Sequence, residues 1–482
     1  MRRAGLALLV VVALAVRLAF LIDDPQPYDV SSLAGPQGEI AHHLLHDGRF
    51  GVIDPAQGVG TCGGYATCDQ SVPTLQDTER LLVDPSDVPW RADPEYVAMS
   101  IHPQGVALLL AGLWGITGDE DYAWLQVMQA VLGALGTVLV FWLGVRLFGS
   151  RSAAVFAAAA WALHPALSVA LKWPTHDAWA ILLTLAATGA FVAARENGAP
   201  TRWLIVVGVL CGAGVAFRPG LALLPVALAT SLVPARGVRG GLRFAVVPVA
   251  AVLLLIAPWT IRNAVELDRF VPVQTGFGQV LYQGLGERPG AFGVQESDAA
   301  TFREVHYERP DLRYASPEYD DELRRRALAR IGDHPAQYAA LLFERTARST
   351  VLAHSTDWVS SGVRREFRTR TTSVPSWMLH HPLGALQLAG GALLEPLLVL
   401  LGLCGAVVAW RAGRREEVLI LAAVLAATLA IPVAIGTEWR YVAPASFIWI
   451  LLAGVALDAF VSRAGRGSPP PPAARPPRPS PG

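Results

Sequence analysis

Long apolar runs alternate with short charged connections along most of this chain of 482 residues. A run of roughly 17 to 25 apolar residues, coiled as a helix, can cross about 30 Å of hydrocarbon. Ten runs fit this description, two of them short, and they predict an all-α polytopic membrane protein. The predicted spans are Ala4–Ile22, Trp124–Leu147, Ala153–Leu171, Ala178–Ala194, Trp203–Phe217, Leu221–Pro234, Leu242–Ile261, Ala389–Trp410, Val418–Gly436 and Tyr441–Val461.

The basic residues of the short connections predict which side of the membrane each one faces. Lys and Arg concentrate on the cytoplasmic side. Placing the N-terminus in the cytoplasm puts every basic connection there: Arg146/Arg151, Arg195/Arg202, Arg236/Arg239/Arg243, Arg411/Arg414/Arg415 and Arg463/Arg466. We therefore expect a plasma-membrane protein with both termini cytoplasmic and the 23–123 and 262–388 segments outside.

The composition agrees with a membrane protein. Hydrophobic residues make up 53% of the chain, charged residues only 16%, and the mean hydropathy is +0.40. These values exceed those of an ordinary soluble domain. Because the 39 basic and 39 acidic residues cancel, the overall charge gives no indication of a nucleic-acid partner.

Two apolar segments have a second interpretation. The first helix has the charged start of a cleavable signal peptide, but no small-x-small site precedes Asp23, so an anchor is favoured. The segment Ile101–Gly118 is short and is followed by acidic residues 119–121. Counting it as a span would invert every later basic connection. We expect it to be a juxtamembrane helix in the outer interface.

The same pattern divides the chain into four parts. Residues 1–261 form an N-terminal transmembrane catalytic module that includes the outer loop 23–123. Residues 262–388 form an extracytoplasmic soluble region, and 389–462 the C-terminal helices. Residues 463–482 are a Pro-rich tail that we expect to be disordered.

Cysteines Cys62 and Cys68 share the outer loop, where an oxidising compartment permits a disulfide between them. A zinc site at these cysteines is not expected, because no second pair of ligands has the usual spacing. Cys211 and Cys404 lie in predicted helices and are expected to be core residues.

Two acidic positions on the predicted outer face could take part in chemistry. Glu39 precedes the amphipathic run Ile40–Leu45, where a carboxylate could act as general base. Alternatively, Glu39 is an acid favoured by a helix N-terminus. The turn Lys172–Asp177 combines Lys, His and Asp, which suits a phosphate leaving group and an acceptor, although it could simply be a polar turn.

Three arginines, Arg218, Arg262 and Arg440, lie at the outer ends of different predicted helices. Arginines on that face oppose the usual charge bias, and bidentate binding of a lipid-linked phosphate would explain them. Arg17 either joins this group or extends toward Asp23. His102 begins the juxtamembrane helix, and a lone histidine is most often structural.

Six stretches resemble, in order, the GT-C glycosyltransferases of the protein-mannosyltransferase-like and aminoarabinose-transferase-like branch, family 39. The stretches are GEIAHHLLHDGRFG, IHPQGVALLLAGLWGITG, QVMQAVLGALGTVLVFWLGVRLFGSRSAAVFAAAAWALHP, AFRPGLALLP, APWTIRNAVELDRFVPVQTGFGQVLYQGLGE and WRYVAPASFIWILLAGVAL. APWTIRN followed by RFVPVQT is the most specific match. The order of all six carries the resemblance.

The resemblance implies a GT-C-like bundle and a sugar donor linked to a polyprenyl phosphate. It implies that the first outer loop supplies the catalytic base, which corresponds to Glu39 or, allowing an insertion, Asp29. Asp177 corresponds to the second family acid. The Pro-Gly-Tyr-Pro-like opening of the family is replaced at His102, so that a cationic phosphate ligand there is either lost or supplied by His102.

The implied reaction is inverting transfer to an extracytoplasmic acceptor, which is a protein, a lipid or an envelope glycan. The phosphate would be held by Arg218, Arg262 and Arg440, with Lys172 and His102 as further candidates. No cofactor is expected with certainty, and a divalent metal, which some relatives use, is not favoured. The expected partners are the donor, the acceptor and membrane lipids.

Two other classes of protein compete with an enzyme. A transporter or flippase would place its polar residues near the bilayer midplane on broken helices, whereas here they gather at helix ends. A noncatalytic scaffold would use 287–381 as an outer binding region. Both are kept as alternatives to the glycosyltransferase.

Overall fold

The computed structural model describes residues 3–23, 36–53, 61–62, 65–66, 96–98, 103–296, 298–309, 311–312, 316–351, 382–383, 386 and 390–466. Helices dominate this part of the chain, as predicted. The predicted site residues Asp29 and His102, together with Cys68, lie outside the described residues. The Cys62–Cys68 disulfide and the disordered tail therefore remain predictions.

The N-terminal half consists of helices and two short strand pairs. Its helices are α1 Arg3–Asp23, α2 Pro36–Asp47, α3 Gly105–Thr117, α4 Ala123–Phe148, α5 Arg151–Leu163, α6 Pro165–Ala170, α7 His176–Glu196, α8 Thr201–Phe217, α9 Leu224–Thr230 and α10 Val233–Glu266. The strands β1 Gly51–Ile53 and β4 Tyr96–Ala98 pair antiparallel, as do β2 Thr61–Cys62 and β3 Tyr65–Ala66. These ribbons lie within the first long loop and are an addition to the predicted all-α fold.

The C-terminal half begins with a helical region that is less apolar than the spans. Its helices are α11 Phe277–Gly284, α12 Asp298–Glu308, α13 Pro317–Asp333, α14 Pro335–Val351, α15 Glu395–Arg411, α16 Arg415–Ile435, α17 Trp439–Val442 and α18 Ser446–Arg466. Short 3-10 turns, Pro219–Leu223, Leu285–Glu287 and Ala443–Ala445, join neighbouring helices, and Gly390–Leu394 is a π-helical turn before α15.

Small residues let the bundle helices pack closely. One continuous core runs through α4 to α10 and α15 to α18, with Trp161, Phe191 and Phe447 fully buried within it. On α15, a Cβ at Gly405 would overlap the carbonyl oxygen of Leu452. The α15 and α18 backbones therefore approach too closely for any larger residue, as is common between membrane helices.

Six helices in the described part of the chain are long and apolar enough to cross a membrane: Ala4–Asp23, Ala123–Phe148, His176–Glu196, Val233–Glu266, Arg415–Ile435 and Arg440–Arg463. This supports a multi-pass membrane protein. All ten predicted spans are largely helical, but several are shorter than predicted or broken, and the count of ten crossings stays a prediction.

The third predicted span, Ala153–Leu171, is broken. The helix ends at Leu163, and a new one starts at Pro165, since proline disfavours a helical residue before it and lacks the N–H that the helix needs. The guanidinium of Arg17 donates to the carbonyls of Trp161 (3.2 Å) and Ala162 (3.3 Å) at this break. Arg17 is thus buried and caps the C-terminal end of α5. The sequence predicts that it either joins the three outer arginines or extends toward Asp23, and this position is neither of the two.

The basic connections meet at one end of the bundle, as the charge pattern predicts. Arg195 Nη1 lies 3.2 Å from Glu416 Oε1, and Arg236 Nη2 lies 3.3 Å from the same oxygen. Ser150 Oγ also donates to Asp458 at 2.7 Å. The predicted site turns lie at the other end of these helices.

The α11–α14 region has its own small core around Tyr282, Tyr319 and Leu323. It is attached to the bundle by Arg345 of α14, which is fully buried. Arg345 donates to Val433 O (3.2 Å) and Ala434 O (2.9 Å) in the last turn of α16 and bonds Glu287 Oε2 at 3.2 Å. A guanidinium satisfies the unpaired carbonyls of a helix C-terminus and complements its dipole.

Candidate functional site

The turn between α6 and α7 is held in shape from α4. Gln129 Nε2 donates to the carbonyls of Leu171 (3.1 Å) and Trp173 (2.7 Å), and Gln126 Nε2 donates to Lys172 O at 3.1 Å. The two glutamines are one turn apart on α4 and are both buried. They fix the backbone that leads into the start of α7, where Asp177 lies.

Asp177 is 1% exposed and forms an ion pair with Arg218. Thr175 Oγ1 donates to Asp177 Oδ2 at 3.3 Å, and His176 Nε2 lies 3.6 Å from Asp177 Oδ1. A carboxylate this deeply buried needs charged or hydrogen-bonding neighbours. Asp177 and Arg218, 41 positions apart in the sequence, are therefore brought together by the fold.

Arg218 also reaches the C-terminal helices. Its Nη1 donates to Arg440 O at 3.0 Å, and its guanidinium lies 4.8 Å from the centre of the Tyr441 ring. The Arg440 guanidinium lies 5.0 Å from the same ring and also pairs with Glu438, with Nε 2.6 Å from Oε2. Two of the three predicted arginines thus lie beside one aromatic ring. Asp177 pairs with Arg218 and Glu438 pairs with Arg440, so each guanidinium has one carboxylate beside it.

Arg262, the third predicted arginine, has a different set of contacts. Near the end of α10 it donates from Nη2 to Phe50 O at 2.6 Å and from Nη1 to Asn263 Oδ1 at 3.0 Å. Its guanidinium lies 5.3 Å from the Phe50 ring and 5.0 Å from the Trp259 ring. Arg262 therefore ties the first loop to α10, through the residue that precedes β1.

Glu39 lies on α2, one turn before His43, whose Nε2 is 4.0 Å from Glu39 Oε1. Burial lowers the pKa of His43, although its hydrogen bond to Asp47 opposes that shift, so we expect a neutral imidazole at neutral pH. The Glu39 side chain is only 15% exposed. A carboxylate beside a neutral imidazole in a partly closed site can accept a proton.

The helix that carries Glu39 packs toward the Asp177 turn. Ala41 of α2 shares a core with Trp114, Tyr122 and Phe217, and Trp179 packs against that core. Trp179 stacks on Phe217 with the ring centres 5.2 Å apart. Asp177 is two residues from Trp179 and Arg218 follows Phe217, so this aromatic pair belongs to the core that contains Ala41 of α2 and also directly adjoins the Asp177–Arg218 pair along the chain.

Lys172 is buried in the same turn, with its carbonyl bound by Gln126. Sequence reasoning missed the glutamines Gln126 and Gln129 and the aromatic Tyr441. The two glutamines could have been found as polar residues three positions apart in an apolar helix. Tyr441 could have been found as an aromatic residue directly after Arg440.

This arrangement of helices is that of a polytopic membrane protein with the GT-C glycosyltransferase fold, as the sequence resemblance predicted. Residues 101–261, about a third of the chain, match the family model of dolichyl-phosphate-mannose-protein mannosyltransferases. No curated protein sequence matches the chain.

Solved structures match across nearly the whole chain. The apo oligosaccharyltransferase of Archaeoglobus fulgidus is similar over 96% of this chain and 52% of its own length, with 14% identity and a TM-score of 0.51. The oligosaccharyltransferase AglB from the same organism, in complex with an inhibitory peptide and a dolichol-phosphate, matches over 97% and 52%, with 14% identity and a TM-score of 0.51.

ArnT from Cupriavidus metallidurans, bound to undecaprenyl phosphate, matches over 96% of this chain and 80% of its own, with 13% identity and a TM-score of 0.40. This chain spans about half the length of the archaeal oligosaccharyltransferase that it matches.

Proposed function

We propose that the protein is a membrane glycosyltransferase that moves a sugar from a polyprenyl-phosphate donor to an extracytoplasmic acceptor. The observation that carries the proposal is the buried Asp177–Arg218 pair beside Arg440 in a GT-C fold. Guanidinium groups match the geometry of phosphate oxygens, and two of them beside one aromatic ring suit an anionic leaving group.

The donor class draws support from the similar proteins. AglB, with the same fold, was solved with a dolichol-phosphate, and the family model names dolichyl-phosphate-mannose. A lipid-linked phosphate would lie at the membrane surface, the level at which the α7, α8 and α17 helix ends meet. The plasma membrane, with both termini cytoplasmic, is the location that we propose.

In the proposed step a hydroxyl or amine of the acceptor attacks the anomeric carbon of the sugar. The new bond forms as the bond from that carbon to the phosphate oxygen breaks, and its electron pair leaves with the phosphate. The acceptor proton passes to a carboxylate, for which we propose Glu39 or Asp29. Configuration at the anomeric carbon is inverted. We do not favour a divalent metal in this step.

The other site residues have supporting roles in this proposal. Arg218 and Arg440 stabilise the charge that develops on the departing phosphate. Because the charge of Asp177 is already matched by Arg218, we give Asp177 the role of holding that arginine in place rather than that of the base. Arg262 keeps the loop after α2 on the bundle, and so helps to position Glu39.

The test is the release of polyprenyl phosphate by the purified full-length protein, supplied with a panel of polyprenyl-phosphate sugars and followed by mass spectrometry. We expect one donor to be turned over, and turnover to fall by at least about 100-fold in either Glu39→Gln or Asp29→Asn. Donor binding should be retained in the affected variant. Normal turnover by both variants would exclude both carboxylates as the base.

A second comparison tests the phosphate site. We expect Arg218→Ala and Arg440→Ala to weaken the binding of polyprenyl phosphate, whereas Arg463→Ala, an exposed arginine at the other end of the bundle, should bind as the wild type does. Equal affinity in all three variants would contradict a phosphate site at these helix ends. No turnover and no lipid binding would favour the transporter or scaffold.

A further inference from the structure

Two histidines on one face of α2 meet a glutamate from another part of the chain. His42 and His46 are one helical turn apart, and their ring centres are 4.5 Å from each other. Glu120, in the connection between α3 and α4, bonds both of them. Its Oε2 lies 2.7 Å from His42 Nδ1, and its Oε1 lies 2.6 Å from His46 Nε2.

The connection that presents Glu120 is itself fixed. Trp114 Nε1, in a fully buried side chain, donates to Asp121 O at 3.1 Å. Asp121 Oδ1 accepts from the backbone N–H of Ala123 at 2.8 Å, at the start of α4. Thr117 Oγ1 donates to Asp119 O at 3.1 Å, so the residues on both sides of Glu120 are held by hydrogen bonds.

We propose that His42, His46 and Glu120 form a binding site for a divalent transition-metal ion, with Zn²⁺ the best fit. One ligand atom from each residue lies within 4.8 Å of the other two. Imidazole nitrogen and carboxylate oxygen are ligands that Zn²⁺ takes at about 2.0–2.2 Å, which places neighbouring ligand atoms about 3.3 Å apart in a tetrahedron. The present contacts of 2.6 and 2.7 Å would have to open by about 0.6 to 0.7 Å to admit the ion.

The exposure of the three side chains agrees with this assignment. His46 is exposed, and His42 and Glu120 are partly exposed, so an ion can reach the site from solvent and keep a fourth position for water.

A metal at this site would cross-link α2 to the α3–α4 connection. The adjacent positions of α2 carry Glu39 and His43, the carboxylate and histidine of the candidate site. A bound ion would therefore hold the orientation of the helix that bears Glu39. The binding itself does not depend on the proposed sugar transfer and is measured without turnover.

The experiment is a titration of Zn²⁺ into the chelator-treated full-length protein in detergent, with free Zn²⁺ set by a competing chelator. The variants are His46→Ala and Glu120→Gln. The matched control is Asp119→Asn, which removes an exposed carboxylate next to Glu120. We expect one saturable site in the wild type and in the control, and a Kd at least about tenfold weaker in both variants.

A second readout separates loss of the site from loss of the fold. Co²⁺ bound to the wild type should show the visible absorption of a tetrahedral site, and Glu120→Gln should lose that absorption at an unchanged apo melting temperature. The proposal is overturned if Zn²⁺ does not saturate one site, or if all three variants bind it with the wild-type affinity.

Discussion

The buried Arg345 of α14 provides the sharpest test of how the α11–α14 region is held on the bundle. The side chain has no exposed surface, and it pairs with Glu287, which is itself 3% exposed. Arg345 also donates to Gly284 O (2.7 Å) and to carbonyls of the last turn of α16. Arg345→Met removes all of these bonds, and among the described residues Glu287 keeps the partly exposed Arg348 and Thr437 as partners.

Breaking a buried pair by removing one partner costs about 3–5 kcal/mol, since the other charge stays buried. Each 1.4 kcal/mol is a factor of ten in an equilibrium, so local opening should become roughly 100- to 3,000-fold more frequent. Hydrogen–deuterium exchange of the α11 and α14 amides measures that opening directly. Amides of α7, which lies elsewhere in the bundle, should keep their protection.

Arg348→Met is the matched control. Arg348 also contacts Glu287, with Nη2 3.4 Å from Oε2, but its side chain is 27% exposed. Such a pair is worth at most about 1 kcal/mol, or roughly fivefold in exchange. Equal exchange in Arg345→Met and Arg348→Met would refute the reasoning, as would an Arg345→Met effect below tenfold. The Arg345→Met/Glu287→Gln double variant should lose less stability than the sum of the losses in the two single variants.

Two further predictions concern the same region. A Cβ at Gly284 would overlap the carbonyl oxygen of Ile435, so Gly284→Ala should cost about 1–3 kcal/mol of stability and lower the melting temperature. Gly332 faces open space within α13, so Gly332→Ala should raise the melting temperature slightly. Equal shifts in the two variants would contradict the Gly284–Ile435 contact. Hydrogen bonds from Arg325 lower the pKa of Glu322 to about 2, so the pair's stabilisation is present above about pH 4.5 and lost as pH falls toward 2. In Glu322→Gln the melting temperature should therefore depend less on pH over that acid range. An unchanged pH dependence of the melting temperature would refute the assignment.

Apolar run length and the placement of Arg predicted the helices and the two ends of the bundle well. Hydropathy alone could not locate the break in the third predicted span, because the apolar run continues through it. The signal was the His164–Pro165 pair, where proline forces a new helix. Length and composition therefore find helices, while the helix ends depend on individual residues.

The candidate site was predicted residue by residue, but not as pairs. The charge bias singled out Arg218, Arg262 and Arg440, because arginines on the outer face are unusual. Nothing in the sequence shows that Arg218 reaches Arg440, 222 positions away, while Arg262 binds Phe50. Which arginine meets which partner is set by helix packing, and a single sequence does not encode that in any local pattern.

The Arg17 cap has a consequence for how the protein is made. α1 leaves the ribosome before α5, because the carbonyls of Trp161 and Ala162 that Arg17 binds are synthesised about 145 residues later. A charged side chain at membrane depth costs about 2.5–3.5 kcal/mol during insertion. Until α5 has been inserted, Arg17 is best stabilised by water and lipid headgroups at the membrane surface. The final depth of α1 is therefore reached only after α5 has entered the membrane.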